Sequence, residues 1–254
     1  MPQLMRTSNP ALSGDTFRAG TATYGEGMTI TGAVNKTGIL LICCVATAAW
    51  TWNRFFGAAT PEEAMGSIAP LVLVGGIGGF ILAMVTIFKK AWSPVTAPIY
   101  ALLEGLVLGG VSAMLEFRYK GVAIQAVGLT FGTLVVMLLA YRSGLIRMSD
   151  KLRLGIVAAT GGIAVFYLLQ FILGFFGIQF HAINSGTTLG IGFSIVVVII
   201  AALNLVLDFD LIEQGAQYGA PKYMEWYGAF ALMITLIWLY LEILRLLSKM
   251  RSRE

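Results

Sequence analysis

Long apolar runs dominate this chain and leave it one solvent in which to fold. A helix that crosses the roughly 30 Å hydrocarbon core of a bilayer needs about 20 predominantly apolar residues. Seven candidates lie at roughly 38–52, 70–88, 94–116, 121–141, 154–178, 186–207 and 226–247. The first is short and extends backward through "MTITGAVNKT" at an interface. Between the runs stand segments such as "KKAWSP", "EFRYKG" and "RSGLIRMSDKLR", which hold the charges, glycines and prolines where helices stop. Of the 254 residues, 57% are hydrophobic and 12% charged, about half the charged share of a soluble domain. Mean hydropathy is +0.82. The expected fold class is all-α, a polytopic membrane protein with seven transmembrane helices. Residues 1–36 form a cytoplasmic leader and residues 37–254 the membrane domain. No signal peptide is expected, because a polar, glycine-rich stretch precedes the first apolar run.

The net charge of +4 is scattered between the runs, so it describes topology and excludes a nucleic-acid partner. With a cytoplasmic N-terminus, the inside segments hold Arg6, Arg18, Lys36, Lys89, Lys90, Arg142, Arg147, Lys151, Arg153 and Lys222. The outside loops hold Arg54, Arg118 and Lys120. That asymmetry sets the orientation in the cell (inner) membrane, although Arg245, Lys249, Arg251 and Arg253 then fall outside after seven spans. Either the tail tolerates this or one segment is re-entrant. Cys43 and Cys44 are helical neighbours pointing in different directions, which suits neither a disulfide nor a metal site. Gly75 with Gly79, and Gly105 with Gly109, have the spacing of closely approaching helices.

Ionisable residues inside spans are costly and therefore candidates for function. Glu104 lies mid-span in the third run, Asp208 and Asp210 close the sixth, and Glu242 lies late in the seventh. With the sixth-to-seventh turn at "YGAP", residues 218–221, Glu104 and the aspartates reach similar depth, and Glu242 lies nearer the far face. Asp208 and Asp210 are about 200° apart on a helix, so only one faces the interior unless the helix unwinds. Asn204 joins Asp208 in one polar stripe, and Asp210, Glu213 and Gln214 form another. One reading makes the segment a solvated inner loop, a helix terminus leaving the membrane. The sharper one places an aspartate in a buried cavity near Glu104, where two carboxylates cannot both ionise freely and so form a proton sensor or cation site. Calcium is a hard cation that takes six to eight oxygen ligands, so Asp208 and Asp210 alone would bind it weakly. Glu242 can instead pair with Arg245, one turn on, and snorkel to the interface.

The order of "MTITGAVNKTGILL", "YALLEGLVLGGVS", "FDLIEQG" and "IWLYLEILRLL" resembles the Bax inhibitor family, the transmembrane Bax inhibitor motif proteins, in its bacterial branch with a long leader. The resemblance implies seven helices with the seventh surrounded by the others. It also implies a pH-sensitive calcium leak whose sensor is an aspartate pair shared by the sixth and seventh helices. The aromatic–Asp element matches Phe209–Asp210, while an Asp-x-x-x-Ile spacing matches Asp208 and Ile212. The second family aspartate falls near Thr235, so Asp208, Asp210 and Glu104 stand in for the pair. The competing reading is a regulatory membrane protein that acts through contacts with other membrane proteins, such as a membrane protease. An enzyme is not expected: His181, the sole histidine, has no paired nucleophile. No cofactor is expected beyond weakly bound calcium, and the partners are the lipid bilayer, cations and other membrane proteins.

The orientation is testable with a membrane-impermeant thiol reagent applied from outside. Ser185→Cys should be labelled and Ser149→Cys protected; the reverse pattern overturns the topology.

Overall fold

The computed structural model describes residues 27–177, 183 and 185–253. Seven long helices cross it: α1 (Ile30–Phe56), α2 (Pro61–Phe88), α3 (Ser93–Arg118), α4 (Val122–Arg142), α5 (Asp150–Phe175), α6 (Thr188–Gln217) and α7 (Met224–Arg251). Each is long and apolar enough to cross a membrane. Even α4, at 21 residues, is about 31 Å long at 1.5 Å per residue. Without water in the hydrocarbon, backbone groups must bond within the chain, and helices achieve this locally. Among the described residues no strand occurs, only an isolated bridge between Gly27 and Pro221.

Capping explains why several helices outrun their apolar cores. Thr29 accepts a hydrogen bond from Gly32 N at 3.0 Å, so α1 begins at Ile30 and includes residues 30–36, which the sequence alone assigns to the leader. Thr60 accepts from Glu63 N at 3.2 Å and Glu63 reaches back to Ala59 N at 3.1 Å, with Pro61 at the first helical position. Helix α2 therefore starts nine residues before its hydrophobic stretch at 70. Ser149 and Thr187 cap α5 and α6 in the same way. No described helix turns back midway, so the basic tail ends opposite the end where α1 begins.

Helix α7 is the axis of the bundle. Of its most apolar 18-residue window 61% is buried, against 11% for α5. It packs against α1, α3, α4 and α6, and Tyr227, Phe230, Met233, Leu239 and Leu244 on it are among the largest fully buried side chains. Outward-facing Ile42, Leu73, Phe80, Val136 and Phe171 are exposed, as a hydrocarbon solvent allows.

Small residues set the α1–α3–α2 packing, as their spacing indicated. A Cβ on Gly105 would lie 2.2 Å from Cys44 O, and one on Gly109 2.3 Å from Ala48 O. On α2 a Cβ at Gly75 would lie 2.6 Å from Leu103 O. The approach lets Thr47 Oγ1 donate across to Leu102 O at 2.8 Å. Cys43 and Cys44 are free thiols.

Gly109→Val should therefore destabilise the bundle by about 3 kcal/mol, the upper end of what overpacking costs, because backbone must move. Gly128→Ala, where nothing lies within 4 Å, should leave the melting temperature in detergent unchanged or slightly raised.

Candidate functional site

Helix α6 runs unbroken through the acidic segment to Gln217. The turn that follows uses Gly219 at φ +66°, where Ala220 N returns to Gly215 O at 3.0 Å. That left-handed residue ends the helix where "YGAP" indicated. The segment is thus helical and packed rather than a loop, and it is the terminal part of a helix that ends at Gln217.

Because the helix does not unwind, its two aspartates part company. Asp208 is fully buried, on the stripe that includes Asn204 and Leu211. Asn204 Nδ2 donates to Thr160 Oγ1 and to Ile200 O, both at 2.8 Å, tying α6 to α5. Asp210 lies on the other side. Its Oδ2 is 2.5 Å from Arg153 Nη2 on α5 and accepts from Gln214 Nε2 at 2.7 Å. The Tyr141 hydroxyl, in the last turn of α4, donates to Glu213 Oε2 at 2.5 Å and lies 3.4 Å from Asp210 Oδ1. The Tyr141 and Phe209 rings meet at 6.1 Å. Side-chain exposures of 13% and 15% make Arg153–Asp210 a largely desolvated pair joining two helices. Removing one partner of such a pair leaves the other charge uncompensated.

Glu104 is not brought to Asp210. Its carboxyl hydrogen-bonds with Tyr100, one turn earlier, and lies over Gly79 of α2, where a Cβ would come within 2.8 Å of Oε1. The reason is topological: α3 packs mainly on α1 and α2, while α6 packs on α7, α4 and α5. Glu242 is paired as expected, with Arg245 Nη1 at 2.7 Å, but it does not snorkel. It is 2% exposed, and Tyr167 of α5 donates to the same oxygen at 2.9 Å. The half-exposed member is Arg245. Thr235 is buried, and its hydroxyl turns back to Ala231 O at 3.4 Å. His181 lies outside the described residues.

Two buried charges escaped the sequence reading. Glu225, in the first turn of α7, has a fully buried side chain. Its carboxylate pairs with Lys36 of α1 and with Lys222 at 2.6 Å. It also accepts from Thr29 N at 2.9 Å and Thr29 Oγ1 at 2.8 Å. Gly32 makes room, since a Cβ there would collide with the carboxylate. Met28 N bonds Ala220 O at 2.7 Å beside it. The available signal was a Lys-x-x-Glu at a helix start and a lysine stranded seven residues into α1. At the opposite end Lys249, 6% exposed, donates to Ile183 O at 2.7 Å, Gly190 O at 3.2 Å and Ser194 Oγ at 2.9 Å.

Among the described residues, no three His, Cys, Asp or Glu side chains gather as a metal-holding group. Calcium at Asp208 or Asp210 would thus take most of its six to eight ligands from water and carbonyls. The family model described as "Bax inhibitor 1 like" matches residues 9–252, spanning all seven helices. No curated protein matches the sequence.

Glu225→Gln should destabilise the fold by about 3 kcal/mol, since Lys36 loses its partner beneath the surface. Lys222→Met, at a side chain 57% exposed, should change stability by less than about 1 kcal/mol. Thermal unfolding in detergent separates the two.

Proposed function

The chain belongs to the Bax inhibitor 1 like family, and on that footing we propose that it is a pH-sensitive leak for calcium or a related cation, with the carboxylates of α6 as its proton- and ion-responsive element. The observation that carries the reading is the Arg153–Asp210 pair, a desolvated charge contact between α5 and α6. A proton on Asp210 removes its charge and leaves the guanidinium unbalanced, so the contact weakens as pH falls. Helix α5 is the least buried of the seven and thus the element with least to hold it when that contact is lost. Fully buried Asp208 adds a second carboxylate on another face of α6, while Glu104, turned to α2, stands apart from both. Calcium passing them meets oxygen ligands too few to retain it, which suits a leak. No residue is assigned a catalytic role.

The orientation belongs to the same proposal. Lys36, Lys89, Lys90, Arg142, Arg147, Lys151, Arg153 and Lys222 all lie toward the end of the bundle where α1 begins, which supports a cytoplasmic N-terminus in the cell membrane. The cations of the tail weigh less against it than their number suggests, because Lys249 is bonded inside the protein.

Calcium flux into proteoliposomes, followed from about pH 4 to pH 8 so as to include the ordinary carboxylate range, tests the proposal. Asp210→Asn and Arg153→Gln should flatten the pH response alike, since each removes the same pair. Glu242→Gln should leave it largely intact. A pH profile unchanged in the Asp208→Asn/Asp210→Asn double variant overturns the assignment. Absence of flux from the wild-type protein would favour the regulatory alternative, a membrane protein acting through contacts with partners such as a protease.

A further inference from the structure

The bundle is open on one side. Helix α1 packs on α3, α7 and α2, and helix α4 on α7, α6 and α3. Between α1 and α4 lies a cavity of about 420 Å³, floored by α3 and α7. Its volume falls within the roughly 300–1,000 Å³ of ordinary ligand sites. Leu41, Val45, Ile124, Val127 and Leu236 line it. Val45, Ile124 and Val127 are also exposed, so its mouth faces the hydrocarbon.

Its dimensions match one leaflet. From Leu41 to Trp52, both in its wall, are eleven helical steps, or about 16 Å at 1.5 Å per residue. Half of a bilayer core is about 15 Å. The slot begins near mid-bundle and ends toward the α1–α2 and α3–α4 turns. There a second cavity of about 400 Å³ shares Trp52 with it and reaches Glu116 and Lys120. The Glu116 carboxylate is already engaged, accepting from Gly121 N at 2.6 Å and Ala123 N at 2.9 Å to cap α4. Lys120 in that wall is exposed, and Arg118 and Arg54, also exposed, lie at the same end. The result is a hydrocarbon slot with a cation at its interfacial end.

We propose that this slot holds one acyl chain of a phospholipid from the leaflet opposite the start of α1, with the lipid phosphate at Lys120. Apolar lining excludes a polar solute. The lateral mouth admits an occupant from the bilayer, and the cation selects an anionic headgroup.

Photolabelling tests it. The protein is reconstituted in mixed phosphatidylcholine–phosphatidylglycerol vesicles doped with phosphatidylglycerol carrying a diazirine on one acyl chain, and labelled residues are located by peptide mass spectrometry. Labels should concentrate on residues 44–52 and 123–131, about tenfold above lipid-facing Phe80 and Val136, a preference of roughly 1.4 kcal/mol. Val127→Trp, at a side chain 39% exposed, should abolish that excess without altering the melting temperature. If it does lower the melting temperature, Ala49→Phe fills the slot from the α1 side, where Ala49 is exposed. Lys120→Glu should remove the advantage of the phosphatidylglycerol probe over its phosphatidylcholine counterpart. Even labelling of all lipid-facing positions would mean ordinary bilayer contact. A dimer-sized product from a benzophenone at Ile124 would assign the slot to another polypeptide. Either result overturns the proposal.

Discussion

Helix α7 can occupy the centre of this bundle because each buried charge it carries is answered by a neighbour. Hydrocarbon supplies no hydrophobic drive between helices, so close packing and polar contacts decide which helix sits where. Glu225 fastens the first turn of α7 to Lys36 and Thr29 of α1. Glu242 fastens its later part to Tyr167 of α5. Lys249 closes its last turns on the carbonyls that lead into α6. A helix anchored in its first turn, its later part and its last turns to three different neighbours has little freedom to slide or rotate. The apolar core around Tyr227, Phe230 and Met233 then packs on an axis already placed.

The periphery follows another rule. Helices α1, α2 and α3 approach through glycines and are held by backbone proximity. Helix α5, by contrast, meets its neighbours through few side chains, among them Arg153, Thr160 and Tyr167. These three side chains reach α6 or α7. A change in the charge of Asp210 thus acts on the helix with the least apolar packing to oppose movement, and the rigid α1–α2–α3 face is left to bear the open slot beside α4.

The seven helices were legible because membrane-grade hydrophobicity is a local property of each segment. Their ends were less so. The extra turns of α1 and α2 depend on Thr29 and Thr60 as caps, and "TPEE" carried that signal in plain view. The site was legible only as composition. Asp210 and Glu242 stood out as charges within spans, and Arg245 was a visible partner one turn away. Arg153 and Tyr141 were not visible as partners of Asp210, since 57 and 69 residues separate them from it. Glu225 was hidden by a still longer interval, lying 189 residues from Lys36.

What the sequence determined by itself was the solvent, the helix count and the presence of acids that hydrocarbon penalises. Each of these follows from runs of neighbouring residues and the cost of burying charge. What only the tertiary structure decided was the pairing. Asp208 and Asp210 diverge because α6 stays helical between them, and Glu104 turns to α2 because α3 packs there. Helix-to-helix contacts join residues far apart in the chain, and no local pattern records which face of one helix meets which face of another.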